Sequence, residues 1–550
     1  MQGVERPDRE LFDAAALVGH LIPPGSMFAL LAQHRADVFP DEDFADLFCQ
    51  GKGRPSIPAT VMAAVMTLQT LHELSDRETA EAVCFDLRWK VAIGASLVDT
   101  GFDASTLVYW RKRIARSDRP HRINETVKKI VEATGVLAGR RRRAVDSTIL
   151  ADAVATQDTI TQLISAIRRV MRQVPGAAAQ VAALCSGHDY TKPGKPYIDW
   201  DDPAAKQALV CELVNDANTL VAALTDVIAA EDETAQGALA LLALVAGQDV
   251  EPAEGSDGTD GRWRIAGKVA DDRVISTVDP DARHTRKSPQ ARRDGYRAHL
   301  AADPESGIIT DEALTKAAGT DNSDAAVAEQ FLAGDLAGSN NITDDGEATD
   351  APQAADSSSQ QSPAPRQWYG DSAYGTGDLR GAINDAGHEA IIKPKPLQSP
   401  VEGGFTIDDF TIDETNQSVT CPNGATRPIS PGRVATFGAL CRDCPLRAQC
   451  TTSKTGRKIV LHQRDDLLRR ARRDWKTNPD LPERYRRHRP NIERVVAQVA
   501  TCRGRRLKLR YRGTTANHAW LKRRTAALNL RNLIGRGLTR RNGTWTLATT

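Results

Sequence analysis

Two aspartates in this chain each close a short apolar run and open a polar turn: Asp146 in RRRRAVDST and Asp371 in WYGDSAYG. Taken singly, each reads as readily as a cap or turn residue. Together they are one device used twice, a carboxylate at the C-terminal end of a predicted strand, held by a rigid sheet and facing an open edge. Strands lying side by side would unite the two groups although positions 146 and 371 are 225 apart. Close carboxylates repel unless a cation sits between them, and hard oxygen donors suit magnesium or manganese. Two-ion phosphoryl chemistry calls for a third acid. Glu493 supplies one in YRRHRPNIERVVAQV, four residues after Arg489 and so on the same helical face, with Tyr485 two turns further back. Glu483 is the other acid of this stretch; it lies before the periodic helix, without apolar neighbours to fix it.

A second cluster is built from thiols. Cys421, Cys441, Cys444 and Cys450 follow the pattern C-x19-C-x2-C-x5-C, and the turns CPNG and CRDC can aim thiolates at one ion. Four thiolates at about 2.3 Å satisfy tetrahedral zinc; redox or spectator cysteines are the alternative. Cys49, Cys84, Cys185, Cys211 and Cys502 read as core residues. An odd total of nine, unevenly spread, argues against a secreted disulfide framework.

The elements that must position these groups come next. Residues 55–117 read as helices, with Ser75 three before Glu78 as in a capping box and a basic helix in DASTLVYWRKRIAR. That region is either a domain whose basic helix enters a DNA groove or a dimerisation bundle. After the strand ending at Asp146, an alanine-, leucine- and valine-rich stretch has helical period. From 262 the texture turns to strands: RWRIAGKVA, then GYRAHLAAD and IITDEALTKA as a hairpin around PESG. SDAAVAEQFLAG is a short helix, and 335–366, rich in Ser, Asp, Pro and Gln, is an expected disordered acidic loop. RQWYGDSAYG, GDLRGAINDAG and HEAIIKPK follow as strand, helix, strand, which implies a parallel crossover. Asp303, Asp324 and His299 lie near the same sheet edge as supporting candidates; His299 and His518 also read as packing residues.

Net charge is only +1 over 550 residues, yet 464–512 is strongly basic with interleaved Tyr and Trp, the footprint of phosphate-backbone binding. A solvated arginine-rich helix face is the bland alternative. No apolar run is long enough for a membrane span. The N-terminus lacks a basic-then-apolar signal, so a cytoplasmic, nucleoid-associated protein is expected.

The order of a helical N-terminal region, VDST, GYRAHLAAD, WYGDSAYG, a cysteine-bearing segment, then Tyr485, Arg489 and Glu493 resembles the DDE transposases of bacterial insertion sequences, and most nearly the insertion-sequence 1182 group with its Tyr-Arg-Glu signature. The likeness runs from about residue 20 to 535 and is strongest in DPDAR (279–283), GDSAYG and RHRPNIERVVAQV. It implies an α/β fold with a ribonuclease H-like mixed sheet, a helical insertion and an all-α N-terminal domain. The expected parts are a helical DNA-binding domain (1–137), a catalytic domain (138–155, 262–398 and 485–510), a helical insertion (156–261), a four-cysteine insertion (399–484) and a tail (511–550). It also implies that Asp146, Asp371 and Glu493 hold two Mg2+ or Mn2+ ions, that Tyr485 and Arg489 contact transposon-end DNA, and that double-stranded DNA with terminal inverted repeats, target DNA and a second copy of the chain are the partners. The signature's lysine, seven residues past the glutamate, is Ala500 here; Arg503, Arg505 or Arg506 is expected to supply that charge. Two other readings are a catalytically inactive DNA-binding relative and an aspartate-nucleophile phosphotransferase, the latter weakened by Thr148 where a second acid is expected.

Overall fold

A computed structural model describes residues 1–4, 12–49, 53–268, 270, 272–288, 291–340 and 365–548. Its centre is a six-stranded mixed sheet. We number the strands β1 (Arg142–Ala151), β2 (Arg283–Ser288), β3 (Ala291–Ala302), β4 (Ile309–Lys316), β5 (Gln367–Gly370) and β6 (Glu389–Ile392). β1 lies in the middle. On one side β3 runs antiparallel to it, and β2 and β4 pair with successive halves of β3's outer edge. On the other side β5 and then β6 run parallel.

The pleat sends alternate residues to opposite faces. Ala144, Leu300, Tyr369 and Ile391 join a large core with the N-terminal helices and the helices Asp480–Ala500 and Thr514–Gly535. Val145, Ala301, Trp368 and Ile392 face a smaller core under the helices Asp324–Asn340 and Gly377–Asp385. The two-faced burial explains the consecutive apolar residues Ala144–Val145, Trp368–Tyr369 and Ile391–Ile392 in β1, β5 and β6.

Several expectations hold. Ser75 and Glu78 form both bonds of the capping box. The 295–303 and 308–317 segments form the antiparallel pair β3–β4, and β5, helix and β6 form the parallel crossover.

Others need correction. Asp146 does not end its strand: β1 continues to Ala151 because β3 pairs it all the way to that residue. Trp263–Ile265 is not part of the central sheet; it pairs with Val250–Pro252 inside the helical insertion, whose long helices bury a core of their own. Residues 511–550 are no tail. Thr514–Gly535 is a helix at the heart of the large core, followed by the hairpin Thr539–Arg541 with Thr544–Thr546. In DPDAR, Asp281 accepts hydrogen bonds from the Thr514 backbone and hydroxyl at that helix's N-terminus, where carboxylates are favoured. Residues 335–340 of the expected acidic loop continue the Asp324–Asn340 helix, and 341–364 lie outside the described residues. Cys49 is exposed and Cys84, Cys211 and Cys502 are partly exposed rather than core, whereas Cys185, partly exposed, packs against the insertion's core.

The N-terminal helices share their core with the sheet, so the contact is tight. Arg524, buried on Thr514–Gly535, donates to the carbonyls of Thr70, Leu71, Gln498 and Thr501, satisfying acceptors that two helix C-termini leave open. Nearby, His121 and His518 stack with ring centroids 5.4 Å apart. Burial, with the Lys522 charge second, holds both below the ordinary value of 6.5, His518 at about 4. Between these values the unfolded chain binds the proton and the folded chain does not, so stability rises with pH there. The expected result is a melting temperature that is level above about pH 6.5 and falls toward pH 4, with a shallower fall in His518→Phe. An unchanged slope in that variant would refute the assignment.

Among the described residues no helix is long and apolar enough to cross a membrane.

Candidate active site

The site forms where β1 loses one neighbour. β5 pairs with β1 only from Arg142 to Ala144, and the register that sets Ala144 beside Tyr369 places Asp146 level with Asp371, one residue past the end of β5. Both positions belong to the face that carries Ala144 and Tyr369. Asp371 then caps the turn Ser372–Tyr374, accepting from the Ala373 amide at 2.8 Å. Gly370 suits that turn, since a Cβ there would stand 3.0 Å from Tyr374 Cβ and press on the buried ring. This accounts for the glycine and the tyrosine in GDSAYG.

Across this face runs Asp480–Ala500. Its Arg484 pairs with Glu389 on β6, its His488 packs on Tyr369 of β5, and its Arg489 reaches Asp146 on β1. The Arg489 guanidinium grips both oxygens of Asp146, at 3.0 and 2.9 Å, and lies 3.7 Å from Asp371 Oδ2. One cation is thus shared by the two aspartates. Arg489 is only 7% exposed and Asp146 13%, whereas Asp371 is 43% exposed.

The two partners pull in opposite senses. Burial raises Asp146, against the hydrogen bond and charge of Arg489 and the Ser147 amide. Burial also opposes the charge on Arg489, yet Asp146 and then Asp371 outweigh it and hold the guanidinium above its ordinary range. The bidentate geometry decides for an ionised pair, because a fork-on-carboxylate contact is made by the charged forms.

Glu493 stands one turn beyond Arg489, exposed. Tyr485 is partly buried edge-on against Trp475; burial raises its hydroxyl against the nearby charge of Arg489, and the charges of both Asp371 and Glu493 add to that rise. Tyr485 therefore sits within the field of both acids. Among the described residues, however, no three His, Cys, Asp or Glu side chains are close enough to hold a metal ion. The structure brings Asp146 and Asp371 onto one cation and leaves Glu493 at the rim. Glu483 lies inside the helix, in its exposed first turn, rather than before it.

Behind the aspartates is a buried layer. Tyr374 is wholly enclosed, and burial, then the charges of Asp324, Asp146 and Asp371, push its hydroxyl up. Asp324 is 3.4 Å from Arg297 and 3.6 Å from His299, whose other ring nitrogen meets the Thr315 hydroxyl at 3.0 Å. Burial lowers His299 to about 3, a neutral packing histidine. Asp303 lies off the site, just past the end of β3 and three residues beyond Leu300, the partner of Asp146, where it accepts from the Ser306 amide. His518 is in the helical layer. Sequence reasoning missed Tyr374 as a site neighbour; the glycine before the aspartate was its only signal.

Arg503, Arg505 and Arg506 are exposed on the hairpin that follows Asp480–Ala500, with Arg506 near Ile149 and Ala151, beyond Asp146 along β1. Ala500 is buried.

The four cysteines gather in a separate lobe of short strands between 411 and 460, with its own small core. They line one cavity of about 30 Å³. Cys441 and Cys450 are buried, Cys421 and Cys444 partly exposed, and none is in a disulfide. Arg457, buried beside them, stacks over Phe410, donates to the Cys450 carbonyl and leaves its Nε without a partner.

Nothing matches the chain among curated proteins or among solved structures. Two family models do match. The transposase DDE domain covers residues 420–534, which include the cysteine lobe, Tyr485, Arg489 and Glu493 but neither aspartate. Residues 18–113 match the transposase domain DUF772, and the two matches together support a transposase of the insertion-sequence DDE class.

Proposed function

We propose that the chain is a DNA transposase that binds the terminal inverted repeats of its element, nicks the ends and joins the freed 3'-hydroxyl to target DNA. The observation that carries this is the meeting of Asp146, within β1, and Asp371, just past the carboxyl end of the parallel strand β5, remote in sequence yet on one cation. The strand order, with the first strand central, three antiparallel strands on one side and two parallel strands on the other, supports a ribonuclease H-like catalytic domain. GDSAYG and RHRPNIERVVAQV support membership of the insertion-sequence 1182 group.

The donor set suits Mg2+ or Mn2+: two carboxylates already share one positive group, and Glu493 stands exposed one turn beyond Arg489, short of them in this structure. When bound, such ions activate the attacking oxygen and neutralise charge on the scissile phosphate. The chain's own groups do the rest. Asp146 and Asp371 would hold an ion from a rigid sheet with Glu493 as the third acid, and Arg489 with Tyr485 would grip the phosphate of the transposon end. Cleavage adds water across a phosphodiester, leaving a 3'-hydroxyl. In transfer that hydroxyl forms a new P–O bond to target DNA while the target's own 3'-oxygen leaves. Arg503, Arg505 and Arg506 extend the phosphate contact. Joining two ends in one event calls for a homodimer.

The decisive experiment is magnesium-dependent nicking of a duplex carrying the element's own terminal repeats. EDTA-sensitive cuts at the repeat ends are expected; tight binding without any cut would instead mark an inactive relative. Turnover of a small phosphoester without DNA would point to a phosphotransferase.

The cysteine lobe is proposed to hold structural zinc. Four soft donors line one cavity of about 30 Å³; no three of them are yet close enough to ligate an ion, so zinc would have to draw the turns CPNG and CRDC together, and a buried guanidinium beside them offsets the negative charge that four thiolates would bring. Elemental analysis of the purified chain is expected to show stoichiometric zinc, much reduced in Cys444→Ser. Metal-free, folded protein with four titratable thiols in the lobe would overturn this.

A further inference from the structure

We propose that Lys393, the first residue after β6, is a phosphate-binding residue of the same site, gripping a non-bridging oxygen of the DNA phosphate that lies against Asp146 and Asp371; this rests on the transposase reading. The placement follows from register. β5 and β6 pair Gly370 with Ile392, so Asp371 is level with Lys393, and the Lys393 amide continues the ladder by donating to the Gly370 carbonyl at 3.3 Å. Asp146, Asp371 and Lys393 therefore occupy one level on three adjacent parallel strands, at backbone steps of about 4.8 Å.

They also share a face. Ile391, two residues before Lys393, belongs to the large core with Tyr369 and Ala144, while Ile392 belongs to the smaller one. Lys393 is thus on the face that carries Asp146, Asp371 and Arg489. The turn after Asp371 packs on the same segment: a Cβ on Gly375 would stand 3.1 Å from the Lys393 carbonyl oxygen. Lys393 itself is exposed and makes no ion pair among the described residues.

Two carboxylates repel a DNA phosphate, so the level they define needs a cation that is not spent on them. Arg489 is bidentate on Asp146 and can turn to the phosphate only after an ion has displaced it. Position 500 is a buried alanine, and Arg503, Arg505 and Arg506 sit on a hairpin beyond the helix end. Lys393 is the cation at the right level with its charge free, and a flexible ammonium donor can follow the phosphate through in-line displacement.

The test uses the full chain and a duplex with the element's terminal repeats. Lys393→Ala is expected to slow cleavage at saturating DNA by about 10²-fold and to make the fall of binding with salt shallower by about one unit of log–log slope. Lys393→Arg should restore most of the rate. Lys395→Ala, two residues further along the exposed segment, should change neither quantity appreciably. If the wild type cuts and Lys393→Ala matches it in rate and salt slope, the inference is wrong while the transposase reading stands. If the wild type neither binds nor cuts such DNA, both fall.

Discussion

Asp371→Asn is expected to yield a folded chain that still binds end DNA but cleaves it at least about 10³-fold more slowly, a loss of about 4 kcal/mol of transition-state stabilisation. The substitution keeps shape and hydrogen bonding to the Ala373 amide while removing the charge a divalent ion needs. Because Asp371 is 43% exposed and 3.7 Å from Arg489, its neutralisation leaves no buried charge stranded. Asp146→Asn is a different experiment. It also abolishes cleavage, but it strips the bidentate partner from a guanidinium only 7% exposed. Breaking a buried pair by removing one member costs on the order of 3–5 kcal/mol, so this variant should melt at a clearly lower temperature. Loss of activity with unchanged melting in Asp371→Asn, and loss of both in Asp146→Asn, is the signature. Wild-type cleavage by Asp371→Asn would remove that residue from the mechanism.

How much of this was legible beforehand follows from which signals are local. The apolar runs around Asp146 and Asp371, the hairpin at PESG and the crossover from β5 to β6 are local patterns, and all appear as read. That the two aspartates meet was inferable from their like contexts. Where β1 ends was not, because its last residues are held by β3, which is remote in sequence. The role of Thr514–Gly535 was hidden for the same reason. Its arginines give it a mixed surface pattern, yet Arg524 is buried because four carbonyls from distant helix ends await it. Trp263–Ile265 reads as a sheet strand by composition, and only the insertion's own partner strand decides otherwise. Lys393 carries no local signal; its meaning comes from a register with β5 that only the assembled sheet reveals.

Arg489 illustrates a residue whose spacing is readable and whose bonding is not. Its distance from Glu493 places it on the right helical face, and a phosphate grip is the natural expectation. In the structure it instead occupies the position between the two aspartates, so a divalent ion at the proposed site would compete with the guanidinium for the same oxygens. Arg489→Ala leaves Asp146 buried without a cation, and its melting temperature in EDTA should drop by the equivalent of about 3–5 kcal/mol. Manganese should then restore stability, and by more than it stabilises the wild type, since an ion bound only by the folded chain adds stability in proportion to the logarithm of its saturation. Cleavage should nevertheless fall, because the variant lacks the fork that grips phosphate. Tighter metal binding together with slower chemistry is an unusual combination for a site variant, and it separates the two roles of one side chain: holding the carboxylates together without metal, and turning to the DNA once metal replaces it. A manganese-induced rise equal to that of the wild type would mean that guanidinium and ion do not share the site.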